Sequence, residues 1–260
     1  MILTTLAKFD PKELEAKVKA MYRSVAEEPD GEFHFEMGRK LAERLGYAPA
    51  DLDQIPAEAI ESFAGVGFYF HLADLKEGET VVDLGSGSGM DTFVAALKVG
   101  ARGKVIGIDM TDEQRAKAER LRDRDGFRNV SYLKGYIETV PLPDSSADVV
   151  ISNGVINLAT DKSKVFDEAV RLLKPGGRLA LADIVTEVQL PENIVCNSTL
   201  WADCIGGAAQ QDNYRGQIEA SGLRMIKAED NTAYQFISDN ARGASRKFGV
   251  KSISLLAIKP

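Results

Sequence analysis

The chain has 260 residues, 44% of them hydrophobic, enough for one large domain with a full core or one domain with an appendage. Charged residues make up 27% and the formal net charge is -7, so the surface repels phosphate backbones and nucleic acid is not an expected partner. No apolar run reaches membrane-spanning length, the opening MILTTLAKFD lacks the features of a signal peptide, and Cys196, Cys204, His34 and His71 form neither a disulfide framework nor a zinc cluster, so the expectation is a cytoplasmic protein without a metal.

Residues 11–28 are predicted to form a helix, with Pro11 in its first turn and Leu14, Val18, Met21, Tyr22 and Val25 on one apolar face. A second helix ends near Gly46, a short one starts near Pro49, and IPAEAIESFAG suggests another. The first 75 residues are therefore expected to form a helical cap. From Glu77 the pattern changes to strands alternating with helices. The strands are ETVVDLG, KVIGIDM, NVSYLKG, ADVVISNGVI and GGRLALADIV, and the helices follow as residues 91–99, 111–125 with Thr111 at the N-cap, and KSKVFDEAVRLL. Nearly continuous apolar strands in such alternation indicate a parallel sheet covered on both faces. Residues 187–213 interrupt the alternation at a place where a loop can cover a ligand, and LRMIKAEDN and KSISLLAIKP supply the last two strands. The expected fold is α/β, with a mostly parallel seven-stranded sheet in residues 76–260 and an insertion over 187–213 that closes on the substrate.

The strongest motif is Asp83-Leu84-Gly85-Ser86-Gly87-Ser88-Gly89. Glycines there let the backbone approach a ligand, and the helix that follows turns its free N–H groups toward the same space. The G-x-G-x-G spacing differs from the G-x-G-x-x-G of dinucleotide enzymes, and no G-K-[ST] sequence marks a nucleoside triphosphate site. Asp83, just before the glycines, suits a ligand carrying an ammonium or hydroxyls. Asp109, at the end of the second strand, is placed to accept hydrogen bonds from ribose; a nicotinamide dinucleotide is the distant alternative.

DLGSGSG, the acid in VIGIDM, the PLPDSSADVVISN run and LLKPGG together resemble the class I S-adenosylmethionine-dependent methyltransferases. The resemblance implies a Rossmann-like fold and S-adenosylmethionine as cofactor. It assigns Asp83, Gly85, Ser86, Gly87 and Gly89 to the methionine part of the donor, Asp109 to the ribose, and Met110 to the adenine. Ile137 and Glu138 would flank the adenine and receive its amino group, and Asn153 would lie near the sulfonium.

With GYAPADLDQIPAEA, IGIDMTDEQ, KGYIE, VVISNGVINL and WADCIGGA included, the chain is similar to arsenite methyltransferases, and Tyr22 matches a tyrosine of that family's N-terminal helix which approaches the donor. The resemblance implies three arsenic-binding thiolates, a set suited to a soft element. Here Gly154 stands at one of those positions, Gly65-Val66-Gly67 at the upstream turn, and only Cys204 is retained. One thiolate makes no three-sulfur cage, so the expected acceptor is a small organic molecule, admitted by the volume Gly154 leaves vacant and flanked by Phe63, Phe68, Tyr69, Asn157 and Trp201, with Cys204 nearby. Two other readings stay open: arsenite methylation by Cys204 with exogenous thiols, and a donor-binding protein without catalysis. No catalytic base and no oligomeric state follow from the sequence.

Overall fold

A computed structural model describes residues 11–195 and 205–260. The sequence opens in helices: α1 (Pro11–Glu27), α2 (Arg39–Leu45), α3 (Pro49–Leu52), α4 (Ala57–Glu61) and α5 (Phe70–Ala73). Gly46 ends α2 in the left-handed conformation, φ 116°, which costs a glycine little. The alternating part follows: β1 (Thr80–Leu84), α6 (Met90–Val99), β2 (Lys104–Asp109), α7 (Asp112–Asp125), β3 (Val130–Lys134), β4 (Ala147–Asn153), a 3-10 turn (Ile156–Leu158), α8 (Lys162–Leu172) and β5 (Leu173–Thr186). After it come α9 (Glu192–Val195), β6 (Ala209–Gln210), α10 (Gln211–Ala220), β7 (Arg224–Asp230), α11 (Asp239–Phe248) and β8 (Lys251–Ile258). Thr111 does occupy the N-cap of α7, but its side chain makes no capping bond.

The sheet runs β3-β2-β1-β4-β5-β8-β7, with the two-residue β6 paired to β5 off this path. Strands β1 to β5 are parallel, and β8 is antiparallel to both β5 and β7. This is the expected mostly parallel α/β sheet, with eight strands in place of the expected seven because the short β6 adds to β5. Its order reverses between β1 and β4, which opens a crevice beyond their carboxyl ends, where ligands bind in folds of this kind. β5 begins at Leu173, ahead of the Gly-Gly pair, because its first residue already pairs with Ala147 before the register shifts at Val149.

Two apolar clusters sandwich the sheet. On one face Val81, Val105, Val149, Ile151 and Ala180 pack with α6, with Ala118 and Leu121 of α7, and with Leu14, Leu41, Tyr47 and Phe63 of the helical cap. On the other, Val82, Ile106, Val150 and Leu181 meet Phe166 of α8 and Tyr214 of α10. The cap thus shares its core with the sheet, and this fixes α1 across the crevice. Tyr22 O accepts Gln114 Nε2 at 2.8 Å, and Val25 O accepts Ser62 Oγ at 2.9 Å. No described helix is long and apolar enough to cross a membrane.

Candidate donor crevice

The crevice has two lobes that meet at Tyr22, Gly85, Gly87 and Val155. The larger encloses about 190 Å³ under Leu14, Val18 and Tyr22 of α1, with Asp109, Met110, Ile137 and Glu138 along the sheet edge. The smaller, about 70 Å³, is lined by Phe63, Ala64, Gly65, Asp83, Ser86, Gly89, Asp91 and Asn153. The apolar stripe of α1 is therefore the roof of the larger lobe as well as a packing face.

The glycine turn is bent by residues with positive φ: Gly85 at 74°, Gly87 at 53° and Gly89 at 96°. The N–H groups of Gly85 and Ser86 both donate to Ile108 O, at 2.8 and 3.0 Å, which ties the turn to β2. A Cβ at Gly85 would strike Val155, and one at Gly89 would strike the Tyr132 hydroxyl. At Gly87 the nearest obstacle is Gln114 at 3.7 Å, so its backbone faces open space.

Asp109 closes β2. Its Oδ2 accepts Gly87 N–H and its Oδ1 accepts Thr111 N–H, both at 2.8 Å. Burial raises its pKa, while those backbone bonds and one from Met110 favour the charged form. Asp109 lines the larger lobe, where a ligand hydroxyl can approach its carboxylate. Glu138 is half-buried, and burial is the largest cause of its raised pKa.

Asp83 lies beneath the turn, 2% exposed, and accepts Thr92 Oγ1 at 2.6 Å. Its pKa is pushed up to about 8, first by burial and then by the charge of Asp91, against the pull of the Thr92 bond. A cation placed beside it would restore the ionised form.

Asp91, absent from the sequence-derived site, stands in the first turn of α6. Its Oδ1 accepts Tyr47 OH at 2.6 Å; its Oδ2 accepts Tyr69 OH at 2.9 Å and Asn153 Nδ2 at 3.0 Å. In the sequence it looks like any helix-start acid, favoured there by the helix dipole. Val155 and Gln114 were equally silent.

The residues expected around the acceptor scatter. Phe63 lines the smaller lobe. Phe68 is half-buried away from both lobes, packed edge-on to Tyr47 and stacked on His71. Tyr69 is fully buried on Asp91, and Asn157 is fully buried in the 3-10 turn. Trp201, Cys196 and Cys204 lie outside the described residues. The expectation of a vacant volume at Gly154 fails: a Cβ there would meet Val66 Cγ1 at 3.1 Å, and the φ of +71° disfavours any other residue. The valine side chain fills the space that a small residue at 154 was expected to leave.

The crevice fits S-adenosylmethionine on its own chemistry. Its glycine turn presents backbone where side chains would block approach, Asp109 stands ready for a diol, and the buried Asp83 lacks a cation among the causes of its shift. Such a crevice on this sheet defines the class I S-adenosylmethionine-dependent methyltransferases. A family model described as a methyltransferase domain matches residues 75–222, and the chain belongs to that family. It is 38% identical to an arsenite methyltransferase of Halobacterium salinarum over 199 residues, 76% of this chain and 51% of that protein. It is 33% identical to a ubiquinone/menaquinone biosynthesis C-methyltransferase of Pasteurella multocida, over 63% of this chain and 62% of the relative. The crystal structure of CrArsM, an arsenic(III) S-adenosylmethionine methyltransferase from Chlamydomonas reinhardtii, superposes with a TM-score of 0.63 at 30% identity, covering 86% of this chain and 74% of that one. The chain spans about half the length of the curated arsenite methyltransferases it matches first.

Proposed function

We propose that the chain transfers a methyl group from S-adenosylmethionine to a small organic acceptor and does not use arsenite. The donor, when bound, supplies an electrophilic methyl group on a sulfonium. The turn at residues 85–89 would carry its methionine part, with Asp83 beside the ammonium. Asp109 would accept the ribose hydroxyls. Met110 and Ile137 would pack on the adenine, and Glu138 would accept its amino group. Tyr22, Leu14 and Val18 would exclude water from above. With both reactants held in line, positioning alone can supply about 7–11 kcal/mol of the barrier reduction.

The choice of acceptor rests on one observation. Positions 66 and 154, where the resemblance implies thiolates, face each other across 3.1 Å between Val66 Cγ1 and a Cβ built at Gly154. A valine wall against a glycine offers trivalent arsenic no sulfur, and a soft centre gains nothing from methyl groups. The remaining family thiol, Cys204, is one ligand.

The test is a methylation assay with isotopically labelled donor, run with arsenite plus glutathione and with a panel of phenols, quinols, amines and carboxylic acids. Product from an organic class with none from arsenite supports the proposal. Rapid methylation of arsenite overturns it and makes exogenous thiols the missing ligands. Donor binding without product from any acceptor, arsenite included, overturns the enzymatic reading in favour of a donor-binding protein.

A further inference from the structure

Asp91 is a buried carboxylate that the donor assignments above leave without a role. It is 6% exposed, and no cation is among the causes that shift its pKa. The charge is carried by three neutral donors from three separate segments: Tyr47 ahead of α3, Tyr69 ahead of α5, and Asn153 at the end of β4. Burying a carboxylate with no counter-cation is costly, and apolar residues of the same volume would pack a core more cheaply. The arrangement therefore calls for a purpose beyond filling space.

Asn153 indicates that purpose. Its Oδ1 accepts Val66 N–H at 2.8 Å and Gly67 N–H at 3.3 Å. Its Nδ2 faces Asp91, Gly67 O at 3.1 Å and Tyr47 OH at 3.1 Å. Both ends of the amide are engaged by protein, so its orientation is dictated by Asp91 and by the loop of residues 63–69. That loop is wedged tightly. A Cβ at Gly65 would stand 2.6 Å from Asn153 Nδ2, and one at Gly67 2.8 Å from Ala182 Cβ. From below, Ser252 Oγ donates to Val66 O at 2.6 Å and Ser254 Oγ to Phe68 O at 3.0 Å. The same loop contributes Phe63, Ala64 and Gly65 to the wall of the smaller lobe.

We propose that Asp91 is a positioning residue: through Tyr47, Tyr69 and Asn153 it latches the loop of residues 63–69 against the methionine lobe and fixes the wall of the donor crevice. The latch joins the cap to the sheet at the point where the donor's methionine part would sit, so it rests on the donor reading above. An unlatched loop leaves that lobe without a defined wall and lets water in.

The test uses the full chain, with Asp91→Asn, Tyr47→Phe and Tyr69→Phe. Two quantities are measured: hydrogen exchange at the Val66 and Gly67 amides in the absence of ligand, and affinity for S-adenosylhomocysteine by calorimetry. An asparagine has one acceptor oxygen where the carboxylate has two, so at least one tyrosine hydroxyl loses the acceptor it donates to. In Asp91→Asn the two amides exchange at least about tenfold faster while β1 amides do not, and affinity falls about tenfold or more. Tyr69→Phe loses one bond and Tyr47→Phe two, to Asp91 and from Asn153, and each gives a smaller effect of the same kind, which keeps the test decisive should Asp91→Asn fail to fold. Unchanged loop exchange in all the variants that fold overturns the latch, and so does equal acceleration of the β1 amides, which signals global destabilisation. If the native chain does not bind S-adenosylhomocysteine, the donor reading fails while loop exchange still judges the latch.

Discussion

If Asp83 sits beside the donor's ammonium, as proposed, donor binding depends on pH in a direction that can be worked out. Its pKa rises from the ordinary 3.8 to about 8, so in the ligand-free protein the carboxyl is mostly neutral at pH 6 to 7. A donor ammonium beside it selects the ionised form and expels the proton. Affinity should therefore climb about tenfold per pH unit from pH 6 to 7, about 1.4 kcal/mol per unit, and level off near 8, where the donor's own α-amino group begins to lose its proton. Calorimetry with S-adenosylhomocysteine at pH 6 and 7, in two buffers of different ionisation heat, should record close to one proton released per ligand. Asp83→Asn should abolish the release and flatten the pH dependence. A native protein that binds with flat pH dependence and no proton release would refute the placement of Asp83 at the ammonium. Stability follows the same carboxyl with the opposite sign. Its folded pKa is raised, so its contribution is fullest below about 3.8 and is lost as pH rises toward about 8. Asp83→Asn should accordingly melt higher than the native chain at pH 8 and lose that advantage at pH 4.

Asp109→Ala removes the acceptor for Gly87 N–H and Thr111 N–H together with the proposed partner for ribose, and should weaken S-adenosylhomocysteine binding roughly ten- to a hundredfold. Unchanged affinity in calorimetry rejects the ribose role. Gly154→Cys places a side chain at φ +71° against Val66 and should cost about 1–2 kcal/mol, a fall of several degrees in melting temperature. Adding Val66→Cys relieves that contact and sets two thiols face to face, so a fluorescence titration with phenylarsine oxide should find tight binding only in the double variant. Equal binding by the native chain contradicts the inference drawn from Val66 and Gly154.

Most elements could be drawn from local signals. The apolar face of α1, the Gly46 stop of α2 and the alternating strands and helices were legible because periodicity and turn chemistry act within a few residues. The glycine turn and Asp109 were legible for the same reason, since a positive φ and a strand-end carboxylate carry their meaning locally. The space at Gly154 was misjudged because a missing side chain suggests room, while the residue that fills the room, Val66, lies far away in the chain. Asp91 was missed because its partners Tyr47, Tyr69 and Asn153 are 44, 22 and 62 residues distant, and each alone resembles ordinary core.

The sequence by itself determined the α/β alternation and the glycine turn with its two acids, properties of residue type and spacing; that Val66 and Gly154 stand where thiolates are implied comes from the family resemblance. Only the tertiary structure decided that β8 inserts antiparallel between β5 and β7, that the stripe on α1 roofs the crevice, and that one buried carboxylate gathers three distant side chains at its wall. The physical reason is range. Backbone conformation answers to neighbours along the chain, whereas a buried charge must find its hydrogen-bond donors wherever folding brings them.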